Sequence, residues 1–154
     1  MISNKDEYFM KEALKCAKKA ALIGEAPIGA VIVRDGVIIA RGYNRREIDK
    51  NALKHAEITA IDRACKKLGG WRLPRCTMYV TLEPCPMCAG AIINSRIERI
   101  VFGTYDKKAG SVESVVKMFD LPYNHKPEYK GGILEGECSG ILTDFFSNLR
   151  KSHK

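Results

Sequence analysis

The sequence predicts an α/β fold, a three-layer α/β/α sandwich around a five-stranded mixed sheet. Three observations point there. A stripe of apolar residues at helical spacing marks a long first helix; Asp35-Gly36 joins two short apolar runs as a hairpin; and strands then alternate with helices. A hairpin pairs its strands antiparallel, whereas strand–helix–strand units pair theirs parallel, so the sheet is mixed. With 154 residues, 45% hydrophobic and 29% charged, the chain suits a single domain (1–154) able to bury a substantial core.

Taken in order, Ser3 or Asn4 can cap a helix over 5–23. Its stripe is Phe9, Ala13, Leu14, Ala17, Ala20 and Ala21, and Gly24 stops it. Residues 28–34 read as a strand, Asp35-Gly36 turns it, and 37–42 return antiparallel. A polar, basic loop fills 43–54. A helix over 55–68 turns Ile58, Ile61, Ala64 and Cys65 inward and ends at Gly69-Gly70. Residues 77–82 form a strand that feeds an Ala-rich, apolar helix over 85–95. The fourth strand is 99–103, a weaker helix covers 112–119, the fifth strand is 129–133, and 135–151 is the closing helix.

No run approaches the roughly 18 apolar residues that suggest a membrane span. Residues 1–7 lack the apolar core of a signal peptide, so a cytoplasmic location is expected. That compartment keeps thiols reduced, which argues against pairing the six cysteines. Cys16 and Cys65 fall at apolar helix positions, as small buried hydrophobes; Cys76 opens a strand and Cys138 opens the last helix. Lys and Arg outnumber Asp and Glu by 26 to 18, a net charge of +8. That excess suits a polyanionic partner without establishing one. Lys5, Lys11, Lys15, Lys18 and Lys19 read as the wet face of the first helix. Arg45, Arg46, Lys50, Lys54, Arg72, Arg75, Lys107 and Lys108 fall in loops, where nucleic acid is more readily met.

The chemistry is concentrated in His55-Ala56-Glu57 and Pro84-Cys85-Pro86-Met87-Cys88. One imidazole and two thiolates are ligand types that Zn²⁺ prefers, and three protein ligands leave a position open for water. Cys85 and Cys88, at i and i+3, project to one side of a helical turn. The positive end of that helix lowers their thiol pKa. Pro86 falls in the first turn, where a missing N–H is tolerated. With only His125 and His153 as other histidines, His55 is the economical third ligand; His153 reads as a tail residue, and His125 as a surface residue or part of a groove. Zinc lowers the pKa of bound water to about 7, and a neighbouring carboxylate, Glu57, can carry its protons. A zinc protease would use H-E-x-x-H, which the chain lacks. Hydrolytic deamination of a nucleobase is the remaining obvious chemistry.

The pattern resembles the cytidine deaminase superfamily and, more closely, the bacterial tRNA-specific adenosine deaminases. The likeness runs through residues 25–31, Gly42-Tyr43-Asn44-Arg45, residues 81–91, Ser95-Arg96-Ile97, Val101-Phe102-Gly103, residues 106–110, Asn124-His125 and Asp144-Phe145-Phe146. It implies a cytidine deaminase-like fold, one Zn²⁺ per subunit on His55, Cys85 and Cys88, and Glu57 as proton shuttle. Hydroxide generated at zinc would attack C6 of adenine and leave inosine. The resemblance further implies that Asn44 and the Ala56 backbone N–H bind the nucleoside. By the same resemblance, Asp106 is expected near the ribose and Phe145, Phe146 and Arg150 beside neighbouring bases, with core packing the plain alternative for the two aromatics. The implied substrate is the wobble adenosine in the anticodon loop of an arginine tRNA, acted on by a homodimer. Single-stranded loops are where RNA bases can be splayed out. Lys54 stands where the family commonly has alanine, and residues 45–51 depart from its usual proline-containing wording. Competing readings are a deaminase of free guanine, cytosine or a nucleotide, and an RNA-docking module with structural zinc. Glu57 argues against the second.

Overall fold

The computed structural model describes residues 4–152; Ser3 and His153 lie outside the described residues. Helix α1 (Asn4–Leu22) precedes the hairpin of β1 (Gly29–Arg34) and β2 (Val37–Tyr43). Helix α2 (Ala56–Leu68), strand β3 (Cys76–Leu82), helix α3 (Pro86–Asn94) and strand β4 (Arg99–Thr104) follow. A 3-10 turn (Met118–Asp120), strand β5 (Glu128–Lys130) and helix α4 (Glu135–Ser152) complete the described chain. The strand order is β2-β1-β3-β4-β5. Both pairings of β1 are antiparallel, and those from β3 to β5 are parallel. Asp35 and Gly36 both take positive φ, 51° and 78°, the twist that a two-residue hairpin needs.

Alternation along the strands sorts side chains into two cores. Ala30, Ile32, Met78, Val80, Ile100 and Phe102 pack with α2 and α3. Val31, Val33, Tyr79 and Val101 pack with α1 and with Cys138 and Ile141 of α4. The sheet is therefore the middle of three layers. The predicted stripe of α1 is widened by buried Met10 and Cys16, while Ala21 is only half-buried. On α2, Ala60 and Ala64 are fully buried, whereas Ile58, Ile61 and Cys65 are half-buried. The small residues make the close approach because Gly42 of β2 has no side chain. A Cβ there would strike the Ala56 carbonyl and the Ala60 amide. Asp6 pins α1 across the sheet. It accepts a hydrogen bond from Tyr79 Oη at 2.7 Å and two from Arg99, at 2.9 and 2.8 Å.

Two predicted elements differ. Residues 112–119 are not an α-helix, and only Met118–Asp120 form a 3-10 turn. The Glu83 carboxylate accepts the N–H groups of Val112, Glu113 and Ser114, so the segment is bound as a turn. The fifth strand is Glu128–Lys130 instead of 129–133. Gly131 and Gly132, the latter at φ 86°, take the chain out of the ladder before Ile133.

Candidate metal and active site

Antiparallel β1–β2 and β1–β3 and parallel β3–β4 put four ends on one sheet edge: the start of β1 and the ends of β2, β3 and β4. Helices α2 and α3 begin at that edge. His55 is the N-cap of α2 and Cys85 the N-cap of α3, both with extended backbone, and Pro86 opens α3. Two helix N-termini thus bring His55, Cys85 and Cys88 together.

His55 Nδ1 lies 3.6 Å from each of the Cys85 and Cys88 sulfurs. The donor atoms of these three residues all fall within 4.8 Å of one another. A tetrahedral centre with bonds of about 2.3 Å to sulfur and about 2.0 to 2.1 Å to nitrogen spans an S···N edge of about 3.6 Å. Both distances from His55 to sulfur match that edge, so the donor set suits a zinc-sized cation. The proton inventory agrees. The Cys85 thiol is held down to about 4, chiefly by its hydrogen bond with Cys88 and also by His55, against the effect of burial. Cys88 is pushed strongly up by its bond to Cys85 and by its own burial. Its bond to Cys85 raises the His55 pKa, against the effect of burial. Two sulfurs beside an imidazole form a group that a divalent cation can bridge.

Glu57, in the first turn of α2, is only 4% exposed. Burial pushes its carboxyl up to about 7, where it can both take and give a proton near neutral pH. It faces the Cys88 thiol.

Above this floor opens a cleft of about 660 Å³. Asn44, His55, Ala56, Glu57, Cys85, Asp106 and Phe146 all line it. Cys88 lies beneath, fully buried. The amide of Asn44 is held by donating to the Ala26 carbonyl at 3.3 Å and accepting the Arg46 N–H at 3.2 Å. Arg46, Lys107 and Lys108 add cations to the lining. Phe145 turns the other way, into a groove with Ala21, Ile141 and Leu149, while its neighbour Phe146 stays 43% exposed at the cleft. Arg150 is exposed on α4 and is not in the lining. Nor is His125, whose Nε2–H donates to the Ile97 carbonyl at 2.6 Å. Lys54 and Leu53 are exposed before α2. None of the six cysteines is in a disulfide. Two residues that the sequence reading passed over are Glu25 and Glu83, carboxylates buried beside the site. A single buried acid leaves no periodic trace, although Glu83 stands immediately before Pro84-Cys85.

Fold and site together define a deaminase. A profile of the MafB19-like deaminase family matches residues 3–150. The tRNA-specific adenosine deaminase of Bacillus subtilis is 53% identical over 150 residues, covering 97% of this chain and 93% of that protein. The Aquifex aeolicus protein of the same name is 46% identical over 147 residues, covering 95% of this chain and 97% of its own. Among solved structures, a tRNA:A34 deaminase that edits A to I at the wobble position of transfer RNA is 47% identical. It superposes with a TM-score of 0.85, covering 88% of this chain and 99% of that one. The guanine deaminase of Nitrosomonas europaea shares the fold, with a TM-score of 0.77 and 22% identity over 94% of this chain and 85% of that one. The present chain belongs to the tRNA-specific adenosine deaminase family, in the cytidine deaminase-like class.

Proposed function

We propose that this chain hydrolyses the wobble adenosine in the anticodon loop of an arginine tRNA to inosine, releasing ammonia. One observation carries the reading: the buried Glu57 carboxyl beside a His/Cys/Cys donor group at the floor of a cleft rimmed by cations. One zinc ion per subunit would sit on His55, Cys85 and Cys88 and supply the Lewis acid that brings a water's pKa to about 7. Glu57 takes a proton from the attacking water and delivers one to the departing amine. Asn44, its orientation held by Ala26 and Arg46, has one amide hydrogen and one lone pair left for the nucleoside. Ala56 is the first residue of α2, where a backbone N–H has no intrahelical acceptor and can meet the base. Asp106 and Phe146 border the ribose and the flanking bases. Phe145 and Arg150 serve RNA from outside the cleft, along α4.

The named relatives support RNA adenosine over a free base. The cleft, at about 660 Å³, falls within the roughly 300 to 1,000 Å³ range of ligand clefts. The whole chain acts as one catalytic domain, in the cytoplasm and as a homodimer. Among the described residues no helix is long and apolar enough to cross a membrane. Exposed Val115 and Val116, ahead of the 3-10 turn that packs on α3, suit a contact between copies. Incubation with an arginine anticodon stem-loop and, separately, with free bases and nucleosides tests the reading. Inosine should form in the RNA. Turnover of guanine or cytosine without inosine in RNA overturns it, and light scattering reads the subunit count.

A further inference from the structure

The two middle strands each carry a buried carboxylate at the site edge, and neither takes part in the chemistry above. Glu25, 1% exposed, lies just before β1. Its two oxygens accept the N–H groups of Glu47 at 3.1 Å and Ile48 at 2.8 Å, in the loop that leaves β2. Glu83, 2% exposed, lies just after β3. It accepts N–H groups from Asp106 at 3.1 Å, Val112 at 3.2 Å, Glu113 at 2.8 Å and Ser114 at 2.9 Å, and the Ser114 hydroxyl at 2.5 Å, all beyond β4. Each acid therefore braces the loop that springs from the next strand outward. Those loops supply Asn44 and Arg46 on one side of the cleft and residues 105–109 on the other.

The packing is specific to this purpose. Gly110 lies so close to Glu83 that any Cβ would strike the carboxylate. The Ser114 hydroxyl and four backbone N–H groups all converge on the buried Glu83 carboxylate. An unpaired carboxylate at this depth would be strongly destabilising, so the donors are required wherever the acid is retained. An apolar residue could fill the same space without obliging two loops to close on it. On the reading above, the rims would meet what lies around the reacting base, whereas His55, Glu57 and Cys85 line the floor of the cleft.

We propose that Glu25 and Glu83 are positioning residues that fix the two rims of the cleft for the nucleotides flanking the reacting one. The proposal rests on the RNA reading above. Glu25→Gln and Glu83→Gln each turn an accepting oxygen into an amide that faces an N–H. They should raise KM for the anticodon stem-loop about tenfold, with kcat within twofold and metal content unchanged. Ser114→Ala, at an exposed position that removes one donor, should raise KM about threefold in a protein that still folds. A purely structural role would lower kcat through a smaller active fraction and leave KM alone; that outcome overturns the proposal. Amide exchange in the unmodified protein tests the clamps without RNA or mutation. The N–H groups of Glu47, Ile48, Asp106 and 112–114 should exchange slowly for loop positions, and fast exchange overturns the proposal. If the unmodified protein does not act on the stem-loop, the RNA reading fails while the exchange result still stands or falls alone.

Discussion

Replacing Glu57 with alanine removes the proposed proton carrier but leaves the three donor side chains where α2 and α3 put them. Inosine formation should fall by about 10² to 10⁴, the usual contribution of a positioned acid–base group, with metal bound at full stoichiometry. Turnover near the wild-type rate would refute the role given to Glu57. A second residue-scale prediction concerns Asp6, whose bond to Arg99 holds its carboxyl below the usual range, outweighing burial. Its contribution is present above the unfolded carboxylate value of about 3.9 and is lost as pH falls through the lower folded value. Asp6→Asn should cost about 2 to 3 kcal/mol at neutral pH, as expected for charge-assisted hydrogen bonds. It should also flatten the stability loss below pH of about 4. Urea midpoints across pH measure both.

At the scale of elements, the approach of α2 to β2 sets where His55 arrives. Gly42→Ala puts a methyl against the Ala56 carbonyl, so α2 must lift at its N-terminus. A destabilisation of about 1 to 3 kcal/mol is expected, together with weaker metal binding. Thermal unfolding and bound metal per chain read the two effects, and unchanged metal affinity would separate helix position from the site. Elements with a local signature were legible in the sequence: the Asp35-Gly36 hairpin, the apolar runs of β1 and β3, and α2 with its Gly69 stop. The segment 112–119 was not, because its first N–H groups are claimed by Glu83 from 29 to 31 residues away. The same long-range bonds are why no local window of sequence shows the role of Glu83. Phe145 and Phe146 divide between groove and cleft because adjacent helical residues point about 100° apart, and only the packing of α4 decides which faces where.

Across the whole molecule, α2 and α3 meet at one edge through His55, Cys85 and Cys88, so an ion held there would tie two helices of one layer together. Chelation should lower the unfolding temperature, and added Zn²⁺ should restore it, as for any ligand that binds the folded state. An unchanged melting curve on metal removal would argue against a bridging ion. The net charge of +8 and the cations Arg46, Lys107 and Lys108 at the cleft lead to a second expectation. Stem-loop affinity should fall steeply between 50 and 200 mM salt, because each neutralised phosphate of a single strand contributes a slope of about −0.7. Fluorescence anisotropy measures it, and salt-independent binding would remove the cations from the docking surface.

The H-x-E and P-C-x-x-C residue types and the order of strands and helices are local features, and the sequence alone determined them. Ligand type and i, i+3 spacing are chemistry and helix geometry, neither of which waits for folding. Tertiary structure decided what depends on residues far apart in the chain. It set the 3.6 Å edges between His55 and the two sulfurs, turned Phe146 to the cleft and Phe145 away, and placed Glu25 and Glu83 beneath the rims. The physical reason is burial. A carboxylate deep in the protein must find its hydrogen-bond donors in space, and no window of sequence shows which loop will supply them.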